Sequence, residues 1–207
     1  MNNKAHWENV YQSKAPDAVS WYSPHLETSL ALIRTANSDP RAAIIDVGGG
    51  ESTLIADLLL AGYQNLSVVD ISRVALDVAK KRIGKKSDGI NWIEGDILDS
   101  EFASHSYDVW HDRAVFHFLT TPEQRIAYVR QISLAVKPGG HVIVATFAPD
   151  GPEKCSGLDV VRYDAASLHA QFGSPFTLIS SKLENHKTPL GSIQQFLYCL
   201  CKIAPTM

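Results

Sequence analysis

Three consecutive glycines between a strand-like run and a helix-like run constrain the fold of this chain more than any other feature. Residues 43–47 (AIIDV) are apolar and β-branched, which predicts a buried strand. Gly48, Gly49 and Gly50 follow, and residues 52–61 (STLIADLLLA) have apolar side chains at helical spacing. Glycines let the backbone approach a ligand closely, and the free N–H groups of a helix start point at it. The stretch therefore predicts an anion or nucleotide site between a strand and a helix.

Two aspartates mark the ends of the first two predicted strands. Residues 66–70 (LSVVD) form a second buried run, and Asp70 lies at about the spacing at which a carboxylate reaches a ribose diol. A nicotinamide or flavin fingerprint needs a glycine or alanine where Thr53 stands. Asp46, just before the glycines, suits a ligand with positive charge, such as a sulfonium or an α-ammonium. The pattern favours a nucleoside with a cationic end over a dinucleotide.

Five motifs carry a resemblance to a known family, in the order DVGGGES, VVDIS, EGDI, YDVWHDRAVFHFL and KPGGHVIVATF. They resemble the motif series of class I S-adenosylmethionine-dependent methyltransferases, over residues 43–147. The resemblance implies an α/β fold: a doubly wound, mostly parallel seven-stranded sheet with an antiparallel C-terminal strand, helices on both faces and an N-terminal helical lid. S-adenosyl-L-methionine is the cofactor it implies. We expect residues 1–40 to form the helical arm or lid and residues 41–207 the cofactor-binding domain, together one compact domain.

Hydrophobic periodicity and stop signals predict the other elements. Further helices are expected over residues 4–13, 25–36, 73–83, 122–136 and 165–171, and further strands over residues 90–93, 107–110, 141–146, 176–183 and 193–203. No helix separates the last two strands, so we expect them to pair antiparallel.

Cofactor contacts follow from the positions at which the motifs match the family. The resemblance implies that the glycines face the methionine end, that Asp70 binds the ribose, and that Asp96 with the backbone of Ile97 binds the adenine. A surface turn is the alternative for Asp96. The residues expected to contact the cofactor are Asp46, Gly48, Gly49, Gly50, Ser52, Asp70, Ile71, Asp96, Ile97 and His111.

Charged and imidazole side chains leave the carboxyl end of the fourth predicted strand, the end at which parallel sheets bind ligands. His111, Asp112, Arg113 and His117 are the candidates for catalysis. The two histidines could act as general bases or as hydrogen-bond donors. Asp112 and Arg113 could instead form a structural ion pair, and either histidine could be a satisfied core residue.

A candidate substrate pocket combines N-terminal aromatic residues with the loop after the fifth strand. The aromatics either cover the acceptor or pack along the sheet edge. Residues 147–163 form a long loop rich in glycine and proline, and loops of this length are usually functional. No neighbouring residue marks Cys155 as a nucleophile, so this cysteine could also be incidental. The residues expected to line the pocket are Trp21, Tyr22, Phe116, Cys155 and Arg162.

Composition limits the partners of a chain of 207 residues. A formal charge of −3 without a basic stripe argues against a nucleic acid, and the absence of a long apolar run argues against a membrane. Three cysteines are too few for a disulfide scaffold, and Cys199 and Cys201 lack the further ligands that a metal would need. We expect no metal, a cytoplasmic location, and a monomer or homodimer.

The methyl acceptor is the least constrained prediction. The sequence lacks an Asn-Pro-Pro-Tyr run after the fourth strand, a run that would suggest amide or base nitrogen as the acceptor. We expect a small molecule. The alternative is a protein lysine, since the N-terminal HW and SWY segments and Asp112-Arg113 partly resemble protein-lysine methyltransferases of this class. A non-catalytic nucleoside-binding module and a dehydrogenase are further alternatives.

Overall fold

The computed structural model describes residues 3–205, so the outermost residues of the predicted arm and domain lie outside it. Its strands are β1 (Ala43–Val47), β2 (Asn65–Asp70), β3 (Asn91–Glu94), β4 (Tyr107–Arg113), β5 (Val136–Phe147), β6 (Lys154–Cys155), β7 (Leu158–Asp159), β8 (Phe176–Lys187) and β9 (Ile193–Ile203). Its α-helices are α1 (Asn3–Ser13), α2 (Glu27–Ala36), α3 (Leu54–Leu60), α4 (Arg73–Ile83), α5 (Pro122–Ala135) and α6 (Ala165–Ala170).

Seven strands form the central sheet in the order β3-β2-β1-β4-β5-β9-β8. From β3 to β5 every neighbouring pair is parallel, whereas β9 is antiparallel to both β5 and β8. The predicted mixed sheet with its antiparallel last strand is therefore confirmed. The chain reverses its direction of winding between β1 and β4, and open α/β sheets bind ligands at such a switch point.

Both faces of the sheet are covered because side chains along each strand alternate between them. One buried cluster joins Ile45 and Trp110 to Tyr128 and Ile132 of α5. The other joins Ile44 and Val109 to α2 and α3, through residues that include Ile33 and Leu58. Strands with two buried faces read as continuous apolar runs, and this is how β1 and β2 appear in the sequence. The division at residue 40 stays a prediction.

Several element ends differ from the prediction, and each has a local cause. Helix α3 begins at Leu54 rather than residue 52, because the Leu54 N–H donates to Ser52 Oγ and the Ser52 N–H donates to Gly49 O. Strand β4 continues beyond residue 110 to Arg113, because β1 and β5 still flank it there. The loop after β5 contains the short hairpin β6–β7.

The N-terminal helix α1 is tied to the start of α4 by one carboxylate. Glu8 accepts hydrogen bonds from Ser72 Oγ and from the backbone N–H groups of Arg73 and Val74. These N–H groups lie in the first turn of α4, where a helix favours negative charge. Lys4 adds an ion pair with Glu94 at the end of β3. The contacts hold α1 against the carboxyl ends of β2 and β3. Within residues 3–205, none of the helices is both long and apolar enough to cross a bilayer.

Candidate active site

A cleft opens at the carboxyl ends of β1, β2 and β4 and encloses about 950 Å³, part of it open to solvent. This main cleft lies above the point at which the strand order reverses. Of the residues predicted to contact cofactor or substrate, those lining it are Gly48, Asp70, Ile71, Asp96, Ile97, Trp21, Arg113 and Cys155. The structure thus brings together residues from six separate segments of the chain.

A smaller side cavity of about 500 Å³ lies under the glycine turn, and it shares Gly48, Trp21 and Arg113 with the main cleft. Its further predicted residues are Asp46, Gly49, Ser52, His111 and Tyr22. Gly50 takes part through its backbone, because its N–H donates to Asp70 Oδ2 over 3.0 Å.

The three glycines are packed so closely that side chains would not fit. A Cβ on Gly49 would stand 2.4 Å from Asp46 Oδ2, and one on Gly50 would stand 2.4 Å from the Ala75 Cβ. Gly48 has φ +67°, a conformation that L side chains rarely adopt, and its Cβ would meet Val115 at 2.1 Å. The turn therefore exposes bare backbone to the cleft.

Asp70 links the glycine turn to the start of α4 through hydrogen bonds. Its Oδ2 accepts the Gly50 N–H, and its Oδ1 accepts the Ser72 N–H over 2.8 Å. Burial raises the pKa of Asp70 to about 6, although the two backbone hydrogen bonds act in the opposite direction. A carboxylate has about four acceptor positions, so roughly two remain for a ligand hydroxyl pair.

Asp46 is held by a buried histidine. His111 Nδ1 lies 2.7 Å from Asp46 Oδ1, and His111 Nε2 lies 2.9 Å from Ser29 Oγ. The order Ser–His–Asp resembles a hydrolytic triad, but Ser29 is fully buried and cannot meet a substrate. The remaining oxygen of Asp46, Oδ2, has no hydrogen-bond partner among residues 3–205.

Aromatic rings close the main cleft on the side of the N-terminal segment. Trp7 lies against Phe118 and Trp21, with ring centroids 5.2 Å and 5.9 Å apart, and Tyr11 packs on the same pair of tryptophans. Trp7, Tyr11 and Phe118 line the cleft but are missing from the predicted residues. The sequence did contain a signal for the two residues of α1, because Trp7 and Tyr11 are four positions apart and therefore share a helix face.

Arg113 connects this aromatic roof to the sheet. Its Nε donates to the Tyr198 hydroxyl and its Nη1 to the Trp21 carbonyl, while the guanidinium stacks 4.2 Å above the Phe196 ring. Glu184 lies 4.0 Å from Nη2, and the Arg113 side chain is only 6% exposed. A buried positive charge therefore stands in the wall that the main cleft and the side cavity share.

Two of the proposed catalytic residues lie beneath the site rather than in it. Asp112 is fully buried, accepts the N–H groups of Val115 and Phe116, and receives the Tyr128 hydroxyl. His117 is fully buried as well, and the Phe147 N–H approaches its Nδ1 at 3.4 Å. Asp112 thus shapes the turn after β4. The alternative, a structural ion pair with Arg113, is not found among residues 3–205, where Arg113 faces Glu184 instead.

Two of the proposed pocket residues are also displaced. Phe116 is buried in the core, against Tyr128 and Phe172, so Phe118 takes the position at the cleft. Arg162 points to the surface of its loop, where it donates to Gly151 O and pairs with Glu153.

Cys155 does line the main cleft, from the hairpin β6–β7. Burial raises the pKa of its thiol to about 12. The thiol is therefore protonated at neutral pH and is a poor nucleophile.

Comparison with known proteins shows which proteins this chain is similar to. A family model described as a methyltransferase domain matches residues 44–140. The eEF1A lysine and N-terminal methyltransferase of Mus musculus is 26% identical over 138 residues, which are 67% of this chain and 19% of that protein. The malonyl-(acyl-carrier protein) O-methyltransferase of Halalkalibacterium halodurans is 33% identical over 121 residues, which are 56% of this chain and 43% of that protein. The chain thus spans less than half the length of either relative.

A solved structure matches the whole fold. The N-methyltransferase NodS of Bradyrhizobium japonicum WM9, in complex with S-adenosyl-L-homocysteine, aligns with a TM-score of 0.73 over 98% of this chain and 99% of that chain, at 16% identity. At this identity the likeness shows the fold alone. The matched domain agrees with the motif series and with the sheet order. The chain therefore contains a methyltransferase domain over residues 44–140 and has the α/β fold of class I S-adenosylmethionine-dependent methyltransferases.

Proposed function

We propose that this chain transfers the methyl group of S-adenosyl-L-methionine to a small-molecule acceptor in the main cleft. The observation that carries the choice of acceptor is the position of Arg113, a buried cation in the wall of a cleft roofed by aromatic rings. A protonated lysine would bring a second positive charge to this wall. A neutral or anionic small molecule would not meet that repulsion.

The residues around the cleft fit the cofactor. Bare backbone at Gly48 and Gly49 allows close approach, and Asp70 keeps acceptor positions for a ribose. Asp96 and Ile97 line the opposite part of the cleft and would hold the adenine.

When bound, the cofactor supplies an activated methyl group, and the chain supplies position. The aromatic roof formed by Trp7, Trp21 and Phe118 excludes water. Arg113 fixes Trp21 through its carbonyl and thereby fixes the roof. Holding two reactants in line can remove about 7–11 kcal/mol of a barrier. We infer no general base from His117, which is buried in the core.

Labelled cofactor separates the possible acceptors. The purified protein is incubated with methyl-labelled S-adenosyl-L-methionine and a cell extract, and the protein and small-molecule fractions are counted separately. The matched control is the Gly49→Ala variant, in which a Cβ would collide with Asp46. We expect label in the small-molecule fraction for the wild type alone. Label confined to protein bands would overturn the small-molecule acceptor, and no label with no cofactor binding would overturn the activity.

A protein acceptor is the second candidate, because some relatives are named for protein or peptide methylation. The mouse protein is named for lysine and N-terminal methylation, and a relative from Streptomyces is named cypemycin N-terminal methyltransferase. A neutral N-terminal amine would tolerate Arg113 better than a lysine ammonium would. A non-catalytic module would bind the cofactor and label nothing. The cytoplasmic location, the lack of nucleic-acid or membrane partners, and the monomer or homodimer stay predictions.

A further inference from the structure

Glu51, the residue directly after the three glycines, is a buried carboxylate without a partner. The residue is 5% exposed and lines the side cavity. Neither Oε1 nor Oε2 has a hydrogen-bond partner within residues 3–205. A buried carboxylate is costly unless it is paired and hydrogen-bonded, so two orphaned oxygens point to a ligand that brings donors.

A second unpartnered oxygen belongs to the same cavity. Asp46 Oδ2 is buried under the glycine turn, while Asp46 Oδ1 is held by His111. Both carboxylates line the side cavity, next to Gly48 and Gly49. Together they offer three acceptor atoms to whatever enters it.

The groups around Glu51 leave it poorly neutralised. Arg82 attracts it, but this guanidinium donates to the Ser52 carbonyl, and Asp70 repels Glu51. Burial is the main cause that raises the pKa of Glu51 to about 7. The charged or titratable groups that face Glu51 or share its cavity are Arg82 from α4, Asp70 from β2, Tyr11 from α1, Tyr22 from the segment after α1, Asp46 from β1, and His111 and Arg113 from β4.

We propose that Glu51, assisted by Asp46 Oδ2, binds the α-ammonium of the cofactor's methionine end and gives up a proton when that ammonium arrives. This inference rests on the proposed function, because it places the methionine end in the side cavity. An ammonium brings three N–H donors and a positive charge, which together satisfy the orphaned oxygens. The sulfonium has charge but no donor, so it cannot take this role.

Two ligands that differ in the ammonium test this role of Glu51. S-adenosyl-L-homocysteine keeps the ammonium and lacks the sulfonium, whereas 5′-methylthioadenosine lacks the whole amino-acid end. Titration calorimetry measures the affinity of both ligands for the wild type, for Glu51→Gln, and for the control Glu153→Gln. Glu153 is an exposed carboxylate that pairs with Arg162 on the surface. Thermal denaturation checks that each variant is folded.

We expect Glu51→Gln to weaken binding of S-adenosyl-L-homocysteine by about 10- to 100-fold, the effect of losing a charge-assisted hydrogen bond. Binding of 5′-methylthioadenosine should not change, and Glu153→Gln should bind both ligands like the wild type. At pH 6.5, titrations in phosphate and in imidazole buffer should show that S-adenosyl-L-homocysteine releases more protons from the wild type than 5′-methylthioadenosine does, since both ligands carry the ribose that meets Asp70.

Three outcomes would overturn the inference. Equal losses for both ligands in Glu51→Gln would mean that the carboxylate only supports the fold, through Arg82. Unchanged affinity for S-adenosyl-L-homocysteine would mean that the ammonium binds elsewhere. If the wild type binds neither ligand, the proposed function fails with it. Should Glu51→Gln not fold, the buffer comparison on the wild type still decides, because equal proton release with both ligands contradicts the proposal.

Discussion

Asp46 and His111 are paired in register across β1 and β4, and the two side chains meet at 2.7 Å between Oδ1 and Nδ1. Both are buried, and Ser29 closes the other side of the imidazole ring. The contact fixes one oxygen of the carboxylate under the glycine turn and leaves the other facing the side cavity. One residue pair thus couples the core to the glycine turn.

Replacing His111 tests this coupling. In His111→Phe, Asp46 Oδ1 and Ser29 Oγ stay buried without the imidazole, and removing one partner of a buried pair costs about 3–5 kcal/mol. His111→Gln keeps a donor, so we expect it to lose less than half as much. Urea unfolding of both variants measures the difference in the free energy of unfolding. Equal losses would show that a hydrogen-bond donor at this position does not stabilise the buried carboxylate.

Replacing single glycines by alanine tests whether the glycine turn has room for a side chain. A Cβ at Gly49 would meet Asp46 Oδ2 at 2.4 Å and Val68 at 3.1 Å, and His111 prevents the carboxylate from moving away. We expect Gly49→Ala to weaken binding of S-adenosyl-L-homocysteine by at least about tenfold, which is 1.4 kcal/mol. Calorimetry measures this loss.

The control is Gly89→Ala, since nothing lies within 4 Å of a Cβ there. We expect its cofactor affinity to be unchanged and its stability to stay within about 0.5 kcal/mol of the wild type. A Gly49→Ala variant that binds like Gly89→Ala would contradict the close packing of the turn.

The sequence was sufficient to predict which residues at the strand ends meet around the main cleft, and the reason is geometric. Parallel strands bring their carboxyl ends to one edge of the sheet, so residues that follow a strand end are expected to meet there. The glycine turn, Asp70 and Asp96 all follow predicted strands and all border the main cleft or bond across it. Local patterns were enough because each residue's position depends on its own strand.

The acceptor side could not be predicted in the same way. After β4 the chain bends at Ala114, with φ +73°, and enters a short 3-10 turn. This bend turns Phe116 and His117 into the core and Phe118 toward the cleft, an outcome that periodicity does not encode. The aromatic roof depends on Glu8 binding to a helix start more than sixty residues away. Contacts of such sequence separation leave no local pattern.

The attachment of α1 gives a further prediction. Glu8→Ala removes the acceptor for Ser72 Oγ and for two N–H groups at the start of α4. We expect α1 to open locally and its amides to exchange hydrogen faster, while α5 is unaffected. Hydrogen exchange with mass spectrometry measures this, and Glu101→Ala, at an exposed carboxylate, is the control. Unchanged exchange in α1 would mean that its aromatic contacts suffice to hold it.

Replacing His117 tests two statements, namely that its side chain is buried and that it takes no part in catalysis. Burial, and to a lesser extent the charge of Arg113, lowers its pKa to about 3. An unfolded histidine titrates near 6.5, so between about pH 6.5 and 3 the unfolded chain binds a proton that the folded chain refuses. This contribution to stability is present above pH 6.5 and is lost as the pH falls toward 3.

The variant His117→Asn keeps an acceptor for the Phe147 N–H and cannot titrate. We expect it to be less stable than the wild type at pH 8, because it leaves a cavity, and to close that gap on acidification by up to about 1.4 kcal/mol per pH unit below 6.5. Its methyl transfer at pH 8 should stay within about tenfold of the wild type, whereas removing a general base costs about 10²–10⁴-fold. A loss of that size in a folded variant would return His117 to the reacting groups, and a stability gap that does not change with pH would contradict the lowered pKa of its buried ring.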